Sequence, residues 1–362
     1  MLTINAGDLP RFMACNGSRL MPGEIPASAS DTSQRDEGTA AHYMAATVFN
    51  GHHTLDELID RKAPNGVYMT SEMAQHVNDY LALASDDATF KQMEVETSHD
   101  NIPNWVVNGR ADLAMLSNQH VLQIVDFKYG WRIVEPERNW TLISHAIGVC
   151  RQSQYAPPSS IVLGIFQPRP HHPDGPFRKV TLTYPELTAL YDELNAALSN
   201  PSNELRTSPH CAKCPALVPC AAARNAEMNA IDACHTVFSD TIDNAHLSFT
   251  LDNLNRASDM IKQRLEAFEE LAKHRITAGQ VVDNYSVNIG YGHSKFKPGI
   301  DGPMLKVLTG KDLTVAKLVT PAEAKRQGVP ESVLKPLTER PSTGVKLERV
   351  KASKKAERLL GK

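Results

Sequence analysis

The chain has 362 residues, of which 41% are hydrophobic and 22% charged, and its formal net charge is −3. These values are ordinary for a soluble globular protein, and no apolar run is long enough to span a bilayer. The first residues lack the basic and apolar segments of a secretion signal. We therefore expect a cytoplasmic protein without membrane contact. Any binding of nucleic acid would depend on local basic surface, because the overall charge does not favour it.

The apolar patterning predicts helices and strands in alternation over the first 200 residues. The expected elements are helices over Leu9–Ser18, from Gly38 to Val48 and over residues 69–90, strands over Lys91–Thr97, Trp105–Leu116 and Val121–Lys128, a helix over Asn139–Arg151, a strand over Ser160–Gln167 and a helix over Tyr184–Ser199. This order favours a mixed α/β core, with a mixed sheet flanked by helices.

The remaining third of the chain is expected to form a helical or mixed extension. A helix over Leu251–Ala278 and a short β segment near Val281–Tyr291 are predicted there. The tail from Lys335 holds nine Lys/Arg against three Glu, a charge run that is usually solvated. We accordingly divide the chain into a core (1–225), an accessory region (226–335) and a basic tail (336–362).

Two acidic residues and a lysine lie on the clearest predicted hairpin. Alternation along Trp105–Leu116 places Asp112 on the face opposite the apolar odd-numbered residues, and Asp126 and Lys128 share a face of the next strand. In an antiparallel pair, Asp112 meets Asp126 and Lys128 only if the numbers of paired residues add to an even number. If they do, the two carboxylates lie close together beside an ammonium group.

Close carboxylates repel each other, so one takes up a proton unless a cation neutralises the pair. Mg²⁺ or Mn²⁺ suits oxygen ligands, and such an ion polarises a phosphoryl oxygen and lowers the pKa of a bound water. Lys128 would then stabilise charge that develops on phosphorus, and His42 could complete the metal shell. Taken alone, two Asp and a Lys at this spacing are more often an ordinary solvated strand face.

The six cysteines include a triplet, Cys211, Cys214 and Cys220, within a proline-punctuated loop. Cytosolic thiols are normally reduced, so such a group is more often a metal site than a set of disulfides. A fourth ligand could come from Cys15, His210, Cys234 or His235. Structural Zn²⁺ and an iron–sulfur cluster both accept four ligands of this kind, and the spacing alone does not choose between them. Cys150 and Cys234 have no partner at a ligand spacing, and we expect them to be buried free thiols.

In combination these residues resemble the PD-(D/E)XK nuclease superfamily, in its RecB-like branch. The matching segments are Glu37-Gly38-Thr39-Ala40-Ala41-His42, Gly109-Arg110-Ala111-Asp112 and Val125-Asp126-Phe127-Lys128-Tyr129-Gly130. The one-plus-three cysteine arrangement resembles the iron–sulfur RecB-type nucleases, including the AddB subunit and the CRISPR-associated exonucleases. The likeness covers roughly residues 10–222, and the whole chain also resembles phage-encoded proteins with this core and an extra C-terminal region.

The resemblance implies a restriction-endonuclease-like sheet and specific roles for these residues. His42, Asp112, Asp126 and the carbonyl of Phe127 would bind Mg²⁺ or Mn²⁺, and Asp112, Asp126 and Lys128 would be catalytic. Cys15, Cys211, Cys214 and Cys220 would hold a 4Fe-4S cluster. One departure is that the helix after the lysine motif carries Thr141 and His145 where the family has Gln and Tyr, which help to position DNA.

The expected function is therefore a metal-dependent DNA exonuclease acting in phage recombination or end processing. DNA would enter as a single strand or frayed end, guided by Arg110, Lys128 and Arg132, and a single-strand annealing recombinase is the implied partner. Two alternatives remain open. One is a non-catalytic nucleic-acid-binding module that kept the fold, and the other is a zinc-stabilised scaffold without a nucleic-acid role.

Overall fold

The computed structural model describes residues 2–21, 23, 33–84, 87–102, 105–152, 156–199, 202–234 and 242–287. These residues form a six-stranded mixed sheet flanked by helices, as the sequence predicts. The strands are β1 (Leu2–Asn5), β2 (Ala88–Ile102), β3 (Trp105–Ser117), β4 (Val121–Phe127), β5 (Ser160–Phe166) and β6 (Phe177–Thr183). The helices are α1 (Leu9–Ala14), α2 (Ser33–Phe49), α3 (Leu55–Leu58), α4 (Ser71–Leu81), α5 (Trp140–Gln152), α6 (Tyr184–Ser199), α7 (Ala221–Cys234) and α8 (Asn244–Thr277).

Strand β3 lies at the centre of the sheet. One of its edges pairs with a single strand, and the other pairs with two. β2 pairs antiparallel with β3 along its whole length. Since a strand has only two edges, β1 and β4 divide the other one: β1 pairs parallel with Trp105–Asn108, and β4 pairs antiparallel with Leu113–Leu116. Between them, over Gly109–Asp112, no described strand pairs with this edge. β5 follows β4 in parallel and β6 follows β5 antiparallel.

Helices cover both faces of the sheet, and each face has its own apolar core. On one face, Leu142 of α5 and Leu194 of α6 pack with Ile124 and Ile161. On the other, helices α2 and α4 bury Met44 and Tyr80 against Phe127 and Phe166 of the sheet. From Leu113 to Leu116 all four residues of β3 are therefore buried, although simple alternation predicts a buried residue only at every second position.

The C-terminal helices form a smaller core with the cysteine-bearing loop. Cys211 and Leu217 of this loop pack with Ala223 of α7 and Ala267 of α8. Arg264 of α8 is buried beside them, where it donates hydrogen bonds to Glu227 at 2.6 Å and to the carbonyl of Val218 at 3.2 Å. The loop is thus fixed from the side of α8.

Several predicted bounds differ from those in the structure. The helix expected over residues 69–90 ends at Leu81, and β2 begins at Ala88. β1 and β6 were not predicted. The β segment expected near Val281–Tyr291 forms no strand over residues 281–287, and the rest of it lies outside the described residues. No helix in the described part of the chain is both long and apolar enough to cross a membrane. The predicted division at residues 225 and 335 stays a prediction.

Candidate functional site

The register between β3 and β4 meets the condition for bringing the acidic residues together. Leu113 pairs with Val125, so the paired numbers add to an even number and Asp112 lies opposite Asp126. Regular pairing ends at this point, because the Oδ2 atom of Asp112 accepts the hydrogen bond of the Phe127 N–H at 2.7 Å. The Asp112 side chain is thus inserted where the two strands separate, beside the unpaired edge of β3.

Three ligand-type side chains converge at this opening. One ligand atom each from His42, Glu94 and Asp112 lies within 4.8 Å of the other two. His42 Nδ1 is 3.5 Å from Asp112 Oδ1 and 3.7 Å from Glu94 Oε1. His42 comes from α2, where its ring packs against Phe127 with centroids 5.3 Å apart. Phe127 is in turn stacked on Tyr80, so the histidine is held by the aromatic part of the core.

Glu94 is the member of this group that the sequence interpretation overlooked. It lies on β2 with a φ of 54°, a left-handed backbone conformation that is uncommon for a residue other than glycine. Its Oε2 forms an ion pair with Arg110 Nε, 2.8 Å away. Glu96, the next acidic residue along β2, is exposed and is not part of the group. Backbone strain at a ligand-type residue is frequent at functional sites.

Asp126 and Lys128 form a close ion pair next to the three ligand-type residues. Lys128 Nζ lies 2.9 Å from Oδ1 and 2.7 Å from Oδ2 of Asp126. Asp126 is buried, whereas the Lys128 side chain is 42% exposed, so the ammonium group lies at the mouth of the site. Burial lowers the pKa of Lys128, but the carboxylates of Asp126 and Asp112 outweigh it, so the pKa is raised and the amine stays charged.

Burial and neighbouring charges together shift the pKa values of Asp112 and His42. Burial, with a further contribution from Asp126, raises the pKa of Asp112 to about 6, although His42 and Lys128 act in the opposite direction. Burial acts to lower the pKa of His42, but Asp112, Glu94 and Asp126 outweigh it and raise the pKa. Burial therefore disfavours the charged form of Asp112, and a bound cation would stabilise that form.

The donor set fits a divalent cation such as Mg²⁺ or Mn²⁺. One imidazole nitrogen and carboxylate oxygens are ligands that Mn²⁺ accepts, and Mg²⁺ takes carboxylates and keeps several waters. His42, Glu94 and Asp112 are placed to hold such an ion. Asp126 lies in the same charged cluster, where its carboxylate is engaged by Lys128. The roles of Asp126 and of the Phe127 carbonyl as metal ligands stay predictions.

The two residues that replace the Gln and Tyr of the nuclease motif form hydrogen bonds within the protein. Thr141 donates a hydrogen bond to the carbonyl of Ala6 at 3.3 Å. His145 is buried, and its Nδ1 lies 3.0 Å from the hydroxyl of Thr97. A Cβ atom on Gly109 would approach His145 Cε1 to 2.6 Å, so the absence of a side chain at Gly109 makes room for the ring. These residues support the sheet beneath the site.

The basic residues expected to guide DNA lie in different settings. Arg110 is 65% exposed and forms the ion pair with Glu94. Arg132 is exposed in the loop after β4, and its guanidinium donates to the carbonyl of Pro209 at 3.5 Å. The contact joins the loop that follows Lys128 to the start of the cysteine-bearing segment.

The four cysteines expected to act together line one small cavity. Cys15, which follows α1, meets Cys211, Cys214 and Cys220 there, with Arg11 also in the lining. The backbone N–H groups of Arg206 and Ser208 donate to the sulfur atoms of Cys15 and Cys211, each at 3.3 Å. Burial raises the pKa of the Cys211 and Cys214 thiols. Four thiols are the donors that an iron–sulfur cluster or Zn²⁺ accepts, but among the described residues the group of ligand atoms within 4.8 Å of one another is that of His42, Glu94 and Asp112 and not that of the cysteines. A cluster or metal ion at the cysteines stays a prediction.

The other cysteines and histidines considered as ligands are placed as follows. Cys150 lies on α5, where burial raises the pKa of its thiol to about 11. His210 is exposed within the cysteine-bearing loop. The side chain of Cys234 and all of His235 lie outside the described residues.

Comparison with known proteins gives one family match. The model of DUF2800, a family of proteins of unknown function, matches residues 4–341. No curated protein matches the chain.

Two solved structures are similar to the chain. The crystal structure of SSO0001 has 16% sequence identity, covers 61% of this chain and 86% of its own, and gives a TM-score of 0.29. A protein from Eubacterium rectale described as a "putative exonuclease" has 11% identity, covers 68% of this chain and 92% of its own, and gives a TM-score of 0.32.

Proposed function

The chain belongs to the DUF2800 family, and we propose that it is a metal-dependent deoxyribonuclease of the PD-(D/E)XK type that hydrolyses phosphodiester bonds. One observation carries the proposal: His42, Glu94 and Asp112 converge where β3 and β4 separate, beside the ion pair of Asp126 and Lys128. The combination of ligand-type side chains, a carboxylate whose charged form is disfavoured by burial and a charged amine at the opening suits phosphodiester hydrolysis.

Each residue has a separate task in this proposal. A divalent ion, when bound, polarises a phosphoryl oxygen and lowers the pKa of a bound water. His42, Glu94 and Asp112 would hold the ion, and the Phe127 N–H fixes the orientation of the Asp112 carboxylate. Asp126 keeps Lys128 protonated and oriented. The ammonium group of Lys128 then donates to a phosphate oxygen and stabilises the charge that develops on it.

The cysteine cavity supports assignment to the iron–sulfur RecB-like type within this superfamily. Cys15 lies at the end of α1, and the other three thiols follow α6, so a shared 4Fe-4S cluster would tie the beginning of the core to its end. Closing a loop of this length costs chain entropy, which the metal–ligand bonds offset. Structural Zn²⁺ is the alternative occupant, and iron content with absorbance near 400 nm distinguishes the two.

Exonucleolytic action, a place in phage recombination, an annealing recombinase as partner and a cytoplasmic location are finer proposals. They rest on the resemblance of the sequence motifs and on no contact in the structure.

A non-catalytic nucleic-acid-binding module is the second candidate. Thr141 and His145 favour it, because both side chains are engaged in hydrogen bonds within the protein and differ from the Gln and Tyr that contact DNA in the nuclease motif. The retained Asp112, Asp126 and Lys128 favour hydrolysis.

The test is a nuclease assay on end-labelled linear DNA and covalently closed circular DNA, with Mg²⁺ or with EDTA. We expect nucleotide release from linear DNA that requires Mg²⁺, spares closed circles and is lost in Asp126→Asn. Cleavage of closed circles would support phosphodiester hydrolysis but would contradict exonucleolytic action. No Mg²⁺-dependent cleavage by folded, cysteine-metal-loaded protein would reject the enzyme and leave the binding module.

A further inference from the structure

A large groove lies between α7, α8 and the segment that precedes the cysteines. Its volume is about 1050 Å³. Its lining includes Arg132 and Pro209, Ala230 of α7, and Phe249, Arg256 and Met260 of α8. The groove is distinct from the residues that bind the proposed ion, and the function proposed above does not use it.

The lining combines two kinds of side chain that suit a nucleic-acid strand. Phe249 is 66% exposed, so its ring is available for stacking. Arg132 and Arg256 supply two positive charges, while Asp259 supplies one negative charge. Base-stacking aromatic rings together with basic side chains that follow the phosphates are the usual elements of single-strand binding. A purely apolar groove for a partner helix would not need the arginines.

The groove is continuous with the loop that leaves the candidate site. Arg132 lines the groove and is four residues beyond Lys128, so their α-carbons are at most about 14 Å apart. Trp131 lies between them in the chain and is 55% exposed. The guanidinium of Arg169 lies 5.7 Å from the centroid of the Trp131 ring. The loop between the groove and Lys128 thus carries an exposed aromatic ring.

The loop that carries these residues is fixed from below by one buried side chain. Gln167 is fully buried and donates from Nε2 to the carbonyls of Gly130 and Arg132, each at 2.8 Å. Its Oε1 accepts from the Val134 N–H at 3.1 Å. The backbone on either side of Trp131, at Gly130 and Arg132, is thus held in place before any ligand binds. Less conformational entropy is then lost on binding.

We propose that this groove binds single-stranded nucleic acid and directs it to the site at Lys128. Phosphates contact Arg132 and Arg256, and bases stack on Phe249 and Trp131. The ring contacts require unpaired bases, since the faces of bases within a duplex are covered by their neighbours. The inference deepens the proposed function, because the strand would be its substrate, but the binding itself does not depend on hydrolysis.

The test measures binding of a fluorescein-labelled oligothymidylate by fluorescence anisotropy, with the full-length protein in EDTA so that no hydrolysis occurs. Phe249→Ala and Arg256→Ala probe the groove. Phe268→Ala and Arg275→Ala, exposed positions of α8 that do not line it, are the matched controls. Loss of a stacking ring should weaken binding by about 5- to 100-fold. Loss of Arg256 should also reduce the slope of log K against log salt by about 0.7.

The results distinguish this inference from the enzyme itself. Weaker binding in both groove variants with unchanged controls supports the groove, even if no variant cleaves DNA. Equal binding by groove and control variants, or no binding of the oligonucleotide by the wild type, overturns it, even if DNA is cleaved. If Phe249→Ala instead converts a dimer into a monomer in light scattering and leaves DNA binding unchanged, the groove is an interface between copies and the inference is also overturned.

Discussion

The carboxylate of Asp112 takes the hydrogen bond of the Phe127 N–H, 2.7 Å away, at the point where β3 stops pairing with β4. One residue therefore closes the end of a hairpin and presents its other oxygen to His42, 3.5 Å away. Structural support and a ligand-type atom come from the same side chain. Substitutions at this position should separate the two roles.

Asp112→Asn should stabilise the metal-free protein at pH 8, by about 1 to 3 kcal/mol. Burial raises the pKa of Asp112 to about 6, so keeping the group charged at pH 8 costs free energy that an amide does not. The amide oxygen can still accept from Phe127. Asp112→Ala loses that acceptor and should be less stable than Asp112→Asn by about 1 to 3 kcal/mol. Urea unfolding in EDTA measures both, and an Asn variant less stable than the wild type would contradict the account.

Lys128→Met should lower hydrolysis on the order of 100- to 1000-fold, as loss of one donor to a developing charge does in other enzymes. The affinity for Mn²⁺ should not weaken, since the substitution releases Asp126 from its ion pair. Turnover of labelled DNA and Mn²⁺ calorimetry are measured on the same preparation. Parallel loss of hydrolysis and Mn²⁺ binding would mean that Lys128 acts by holding the site together.

Acid should destabilise the fold through two buried histidines. Burial lowers the pKa of His99 and of His145 to about 4. The unfolded chain takes up these protons near pH 6.5, so between pH 6.5 and 4 it binds more protons than the fold. The free energy of unfolding therefore falls as the pH is lowered through this window, by up to about 3 kcal/mol for each histidine.

His145→Asn tests this pH dependence, because asparagine can still accept from Thr97 but does not titrate. Unfolding at pH 7 and at pH 4.5 should differ less in this variant than in the wild type. His52→Asn, at an exposed position, is the control and should behave as the wild type. An unchanged pH dependence in His145→Asn would show that the buried imidazole is not responsible.

Cys15→Ser should reduce the bound iron or zinc and lower the thermal midpoint by several degrees, since one substitution removes a ligand that joins α1 to the loop after α6. Cys150→Ser should leave the metal content unchanged. Its thiol lies on α5, outside the cysteine cavity, and burial raises its pKa to about 11. Elemental analysis with the absorbance spectrum is the measurement. Equal metal content in wild type and Cys15→Ser would remove Cys15 from the site.

The central hairpin could be predicted because its signals are local. Apolar residues alternate along Trp105–Leu116, and a polar turn follows, so both strands and their register are determined by neighbouring residues. Strand β1 has only four residues, and β6 alternates with partly exposed residues, so neither carries enough apolar pattern to be recognised. The end of α4 at Leu81 was not predicted, because the next residues, Ala82, Leu83 and Ala84, are of types that favour a helix.

Glu94 could not be predicted as part of the group because its position depends on an irregular register. His99 pairs with Val107 and Ile102 pairs with Trp105, so the pairing of β2 with β3 shifts by one residue between them. Without the shift, Val95 and not Glu94 would lie opposite Asp112. The meeting of Cys15 with the cysteine triplet likewise follows from no local pattern. The motif resemblance suggested it, and the groove beside α8 had no sequence signal.

The most direct test of the account is calorimetric titration of the purified protein with Mn²⁺, comparing the wild type with Glu94→Gln and Glu96→Gln. The two glutamates are neighbours on β2, but only Glu94 has an oxygen in the group with His42 and Asp112. We predict that Glu94→Gln weakens Mn²⁺ binding at least about tenfold, a loss of about 1.4 kcal/mol, and that Glu96→Gln binds as the wild type does. A wild type that binds no Mn²⁺, or two variants that bind equally, would contradict the metal centre proposed here.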